Sequence, residues 1–239
     1  MQDILHPSVL KQFLAFTKPL EGFTTNPYLD VKGLLTIGAG CLIDPPESAI
    51  GLGWVLLDGT PARQRVALAQ LKSLKAQPGL AHYPWNSPAV LNATRIRLTE
   101  QGVLDLADAR LRAAVAFLIK YFPKLASWPA DAQLCACSMA WAVGAGWPPI
   151  FGHAEHSLQA SPPRFLEAIL HAPDPMHPGL FLPAEIDIST KGNPGIVPRN
   201  AQNELLLSNA QIVQDNELDI TVLHWPKSPY NDGTLEMPT

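Results

Sequence analysis

Cysteine is scarce in this 239-residue chain, charge is sparse, and no apolar run approaches the length a bilayer requires. The three cysteines, Cys41, Cys135 and Cys137, are an odd number without framework spacing. Cys135 and Cys137 stand two apart on an expected helix, where side chains diverge, so no structural disulfide is expected. That usage fits synthesis in a reducing compartment. Charged residues make up 16% of the chain, and 17 Lys and Arg against 21 Asp and Glu leave a net charge of −4. This balance supplies no electrostatic reason for nucleic acid or an anionic membrane as a partner. The opening residues, MQDILHPSVLKQFLAF, lack the basic start, long apolar core and small-residue cleavage site of a signal peptide. A cytoplasmic origin without a cleaved signal is expected.

Apolar residues and proline are plentiful. Hydrophobic residues reach 47%, enough for a sizeable core, and the 24 prolines are expected to chop the chain into short helices joined by rigid loops. No internal repeat or low-complexity segment is present.

The stretch around which the rest is organised is EGFTTNPYLDVKGLLTIGAG, Glu21 to Gly40. Val9, Leu10, Phe13 and Leu14 recur at helical spacing just before it, and Pro19 and Gly22 are expected to end that helix. Glu21 then stands at or just past the negative end of a helix dipole, which favours its protonated form, as a general acid requires. Tyr28 to Lys32 and Leu34 to Ile37 read as two short strands joined at Gly33. That hairpin would set Asp30 and Thr36 on facing strands, and Gly38 and Gly40 would permit close approach of backbone or ligand. A carboxylic acid and a carboxylate flanking one spot are the minimum equipment for cleaving a glycosidic bond.

Farther on, Asp44-Pro45-Pro46 opens a small helix, Thr60-Pro61 caps another with Val66, Leu68, Leu71 and Leu74 as its stripe, and 78–95 is a connecting loop with aromatic anchors. Thr99 starts a helix that Pro123 stops. Pro129 opens the very apolar AQLCACSMAWAVGAG, expected to be the central buried helix. A helix over Pro162 to His171, a strand-like Glu185 to Ile188, an amphipathic helix from Arg199 to Val213 and a strand over Ile220 to Leu223 complete the layout. It is α+β, mostly helical, with one small N-terminal sheet.

The spacing of Glu21, Asp30 and Thr36 and the TIGAG turn resemble the catalytic segment of phage-type lysozymes, which cut bacterial peptidoglycan. LTEQGVLDL (98–106), MAWAVGAG (139–146) and GIVPRNAQNE (195–204) are similar, more weakly, to later segments of that family. The stretch LIDPPESAIGLGWVLLDGTPA also looks like lysozyme-like domains of antibacterial effectors and bacteriocins. The resemblance implies a lysozyme-like domain over 1–213, with an N-terminal helix and β lobe at 8–44, a helical lobe at 45–213 and a cleft between them. Residues 214–239 would be a C-terminal extension. Glu21 would be the proton donor, Asp30 would orient water on the far face of the sugar, and Thr36 would hold that water. Tyr28, Gly38 and Trp141 would contact substrate. No metal or organic cofactor is implied. The implied partners are peptidoglycan strands, a cognate immunity protein and a secretion-machine carrier, with action in the periplasm or cell wall. The pattern departs from the family at Cys41, where His is usual, at Ala142, where an amide is usual, and at Asn200, where a second arginine is usual.

Blander readings stand beside these. The trio could be a solvated hairpin, Cys41 a packing residue, His153 and His156 a surface pair rather than metal ligands, and Trp141 and Trp147 core. Arg199 is expected to pair internally, and Glu100, Asp105 and Asp108 to form a solvated helix face. A lytic transglycosylase, a phage endolysin and a non-catalytic glycan-binding module are the alternative functions.

Overall fold

The computed structural model describes residues 4–143 and 197–236. The expected elements at 162–171 and 185–188, Trp147, and the His153–His156 pair lie outside the described residues. The fold is α+β and mostly helical, with small antiparallel sheets. Two compact units are formed, Thr17–Arg110 and Met1–Phe16 with Leu111–Thr239.

In Thr17–Arg110 the architecture grows from the end of helix α1 (Pro7–Glu21). Pro19 has no N–H to give to the preceding turn. The helix nevertheless runs on to Glu21, because the Gly22 N–H still closes onto the Lys18 carbonyl at 2.9 Å. Gly22, at φ 77°, ends it. Strands β1 (Thr24–Leu29), β2 (Leu35–Gly38) and β3 (Cys41–Leu42) follow as an antiparallel meander. Tyr28 faces Thr36 and Leu29 faces Leu35, but the register shifts between Thr24 and Tyr28. Pro27 falls inside this irregularity, where a missing N–H is tolerated. This is why β1 begins four residues before the expected strand. Asp30, by contrast, lies one residue beyond β1, in the turn, rather than on a strand facing Thr36.

A second, two-stranded sheet pairs β4 (Val55–Leu56) with β5 (Ile96–Arg97), and the Leu98 N–H bonds to the Thr25 carbonyl at 2.9 Å. Strands of two residues carry no readable alternation, so the sequence pattern is silent on them. The expected small helix after Pro45 is a 3-10 turn over Pro46–Ala49. Helix α2 (Gln64–Lys75) starts after Arg63 rather than at Thr60-Pro61. Thr60 is bonded through both N–H and hydroxyl to Asp58 Oδ1, which forms a turn instead of a cap. Ala67, Leu71 and Leu74 bury the face of α2, whereas Val66 is exposed. The loop at 78–95 contains a 3-10 turn, Pro78–His82, and a one-turn helix α3 (Pro88–Leu91). Thr99 caps helix α4 (Glu100–Tyr121) by accepting the Gly102 N–H at 2.9 Å. Glu100, Asp105 and Asp108 are exposed on it.

In the other unit, α5 (Ala130–Val143) is buried at every position from 130 to 140, as expected of a central helix. Helix α6 (Val197–Asp215) packs along it. Arg199 is 1% exposed and donates to the Ser138 carbonyl at 3.0 Å and hydroxyl at 2.8 Å, the expected internal pairing. Residues 220–223 are not a strand. The Thr221 N–H and hydroxyl both bond to Asp219 Oδ1, which gives the backbone a turn in place of a ladder. No helix among the described residues is long and apolar enough to cross a membrane.

Candidate active site

Glu21, Asp30, Thr36, Tyr28 and Gly38 all belong to the Thr17–Arg110 unit, whereas Trp141 belongs to the other. Half-buried Glu21 is the last residue of α1. Its carboxylate lies directly over Gly40, so closely that a Cβ added there would come within 2.7 Å of Oε2. The acid is thus seated on the β2–β3 turn, where Gly38 and Gly40 adopt φ 69° and 79°. Gly40→Ala should lower any activity that depends on Glu21 by about 10²-fold, because an acid displaced by about 1 Å loses its alignment. Kinetics on the purified variant check this, with circular dichroism controlling for the added strain of alanine at positive φ.

Asp30 organises the hairpin turn. Its Oδ1 accepts the Lys32 N–H at 2.9 Å and the Leu34 N–H at 2.8 Å, while its own N–H bonds to the Leu34 carbonyl at 2.9 Å. Thr36 is 5% exposed and its hydroxyl donates to the Leu34 carbonyl at 3.2 Å, which leaves the oxygen lone pairs as acceptors. Tyr28 connects these groups electrostatically. Burial, and then the neighbouring acidic groups led by Glu21 and Asp30, hold its phenol well above the ordinary value. Tyr28 therefore remains a neutral hydroxyl, able to donate a hydrogen bond among carboxylates and unable to act as a base.

The remaining expected site residues have different surroundings. Gly38 is buried, and a Cβ there would meet Val103 Cγ1 of α4 at 2.8 Å, so its close approach is to a packing side chain. Trp141 is half-buried and meets Phe13 edge-on, with ring centroids 5.1 Å apart. Phe23 presents its ring to the Lys18 ammonium, 4.1 Å from the centroid.

Cys41 is 2% exposed, and its thiol is pushed up to about 11 by burial, against the pull of the Arg110 guanidinium. Arg110 donates to the Leu42 carbonyl. All three cysteines are free and buried. Iodoacetamide at pH 8 should therefore leave the folded protein unlabelled and modify three thiols after denaturation, countable by intact mass.

No family model, no curated protein and no solved structure matches this chain.

Two features of the site escaped the sequence pattern. Trp85 packs on Gly22, where a Cβ would fall 2.8 to 3.0 Å from the indole, so an aromatic ring sits at the residue after the acid. Lys75, at the end of α2, forms an ion pair with Asp44 at 2.8 Å and donates to the Gly33 carbonyl at 2.7 Å. Asp44 Oδ1 also accepts the Leu35 N–H at 3.3 Å. One ammonium therefore clamps the tip of the turn that carries Asp30. No local signal marks either feature, since Lys75 lies 42 positions from Gly33 and Trp85 is farther still from Gly22. Among the described residues no group of three or more His, Cys, Asp or Glu could hold a metal ion.

The clamp has a pH signature. The Lys75 hydrogen bond holds the Asp44 carboxyl below the usual carboxylate range, against partial burial and with help from the Leu35 N–H. A depressed folded value means that the stabilisation is present above the unfolded value of about 3.9 and lost as pH falls through the folded one. Asp44→Asn should cost about 1 kcal/mol at pH 7, and urea titrations should show that difference shrinking below about pH 4.

Proposed function

We propose that this protein is a peptidoglycan hydrolase of lysozyme-like fold, a muramidase that cleaves the β-1,4 bond between N-acetylmuramic acid and N-acetylglucosamine. One observation carries the reading: the Glu21 carboxyl sits at the negative end of a helix, seated on a glycine turn, and its charge acts on Tyr28, which faces Thr36 in the hairpin whose turn holds Asp30. Glu21 donates its proton to the departing glycosidic oxygen. Asp30, through the oxygen not committed to the turn amides, orients water on the opposite face of the sugar ring and takes its proton as it attacks, and Thr36 accepts a hydrogen bond from that water. The anomeric carbon inverts. Tyr28 adds a neutral donor that holds position as charge develops. Proton transfer and charge stabilisation suffice, so the reading calls for no metal or organic cofactor.

Purified protein incubated with peptidoglycan should release muropeptides whose mass spectra show reducing N-acetylmuramic acid ends. Intact murein would overturn the proposal. The commitment of Asp30 Oδ1 to two backbone amides favours a second reading, in which Asp30 only shapes the turn and Glu21 works alone as in a lytic transglycosylase. Anhydro-muramic ends among the products would select it. Binding to sacculi without soluble product would leave a glycan-binding module.

In the same reading the protein is an antibacterial effector, made in the cytoplasm, passed to a competitor's periplasm by a secretion-machine carrier and restrained in the producer by an immunity protein. Lysis on periplasmic but not cytoplasmic expression supports that role, and harmlessness in both compartments rejects it.

A further inference from the structure

The segment after α2 forms a surface that the catalytic reading does not use. Gln77, Gly79, Leu80, His82 and Tyr83 line an open pocket of about 470 Å³ in the Thr17–Arg110 unit. Its wall is built on a defined backbone. The Leu80 N–H bonds to the Gln77 carbonyl at 2.9 Å and the Tyr83 N–H to the Leu80 carbonyl at 3.1 Å, and the 3-10 turn Pro78–His82 packs along β1.

Three properties of this pocket point to one ligand class. Tyr83 is 54% exposed, a large aromatic ring left in solvent on an ordered turn, although burial normally claims such a side chain. The lining carries no carboxylate, ammonium or guanidinium, so it offers no strong charge to a ligand. The Gln77 amide, whose Nε2 donates to the Ser73 carbonyl at 3.0 Å, and the His82 imidazole share the lining with the ring and add polar groups to it. An exposed aromatic face with uncharged polar groups suits a pyranose ring, which is apolar on its C–H face and polar at its rim.

Position ties the pocket to the acid. Trp85, two residues past Tyr83, packs its indole against Gly22, and Gly22 follows Glu21 directly. The segment that forms the pocket is therefore anchored at the end of the helix that delivers the acid. A polysaccharide substrate extends over several rings on either side of the bond that is cut, and a surface anchored there can hold one of them.

We propose that the Gln77–Tyr83 pocket is a sugar subsite that takes an uncharged N-acetylhexosamine ring of the glycan strand, with Tyr83 as the stacking face and Trp85 as the residue that fixes its distance from Glu21. The proposal rests on the glycan reading above and not on hydrolysis itself. The test uses the 239-residue chain carrying Glu21→Gln, which can hold a glycan without cutting it, and N-acetylglucosamine tetramer as the probe in isothermal titration calorimetry. Tyr83→Ala, at an exposed position, should weaken binding about tenfold, whereas Tyr83→Phe should preserve it. Equal affinity in the Tyr83→Ala and parent proteins, or no binding of the tetramer by the parent, overturns the subsite. Tyr83-dependent binding by a wild-type protein that leaves murein intact would keep the subsite and remove the hydrolase. Cleavage unchanged in rate and product length by Tyr83→Ala would remove the subsite and keep the hydrolase.

Discussion

Glu21→Gln is expected to reduce muropeptide release by about 10³-fold or more while the protein stays folded. Glutamine keeps the shape and the seat over Gly40 but has no acidic proton for the leaving oxygen, and a positioned general acid contributes roughly 10²–10⁴ in rate. Folding should not suffer. Glu21 is half-buried at the last position of α1, and glutamine is isosteric with it, so the fold should be retained. Liquid chromatography of digested sacculi together with a thermal melt measures both quantities. Equal activity in the two proteins would reject Glu21 as the acid, whatever the enzyme's class.

The second large effect concerns stability, and it lies in the C-terminal segment. Asp131, on α5, is fully buried, and burial raises its carboxyl against the pull of the donors around it. Oδ1 accepts from Asn209 Nδ2 at 2.9 Å and from the Trp225 N–H at 3.1 Å, and Oδ2 accepts the His224 N–H at 3.0 Å. Around this post the segment is stitched down repeatedly. The Ala130 N–H donates to the Ile220 carbonyl at 2.8 Å, Ser8 Oγ to the Thr221 carbonyl at 2.6 Å, and Trp225 Nε1 to Gln202 Oε1 at 2.7 Å. His224 Nδ1 sits 2.6 Å from Asp232 Oδ2, and Trp225 meets Phe16 edge-on with centroids 5.2 Å apart. Asp131→Ala removes the acceptor of three hydrogen bonds at once, and leaves the buried His224 N–H without it. It should cost about 3 kcal/mol, lowering Tm by roughly 10 °C for a chain of this size. Hydrogen exchange should show the loss of protection concentrated at 216–236. An unchanged melt would mean that the segment is not held from Asp131.

The structure therefore adds contacts to the reading of residues 216–236. Their polarity and lack of periodicity suggest a tail, yet His224 is buried, and the segment lies on α5 and α6 through side-chain-to-backbone bonds. Such bonds leave no periodic trace, because a single aspartate on a distant helix supplies the acceptors. The same limitation hid the Lys75 clamp and the Trp85 contact, each of which joins residues far apart in the chain.

By itself, the sequence determined what is local. Helical spacing of Val9 and Phe13, an arrest at Gly22, a turn at Gly33, a cap at Thr99 and the unbroken apolarity of 130–140 all depend on near neighbours, and each corresponds to an observed element. It also determined that Glu21 falls at a helix terminus, because helix length follows from periodicity and a terminating glycine. Tertiary structure alone decided what surrounds that acid. Gly40 under its carboxylate, Tyr28 held neutral, Trp85 on Gly22 and Asp30 turned into its own loop all depend on which distant backbone comes within about 3–4 Å. Proximity of that kind is set by packing and strand register: Asp30 Oδ1 closes the turn onto Lys32 and Leu34, so Tyr28 rather than Asp30 faces Thr36.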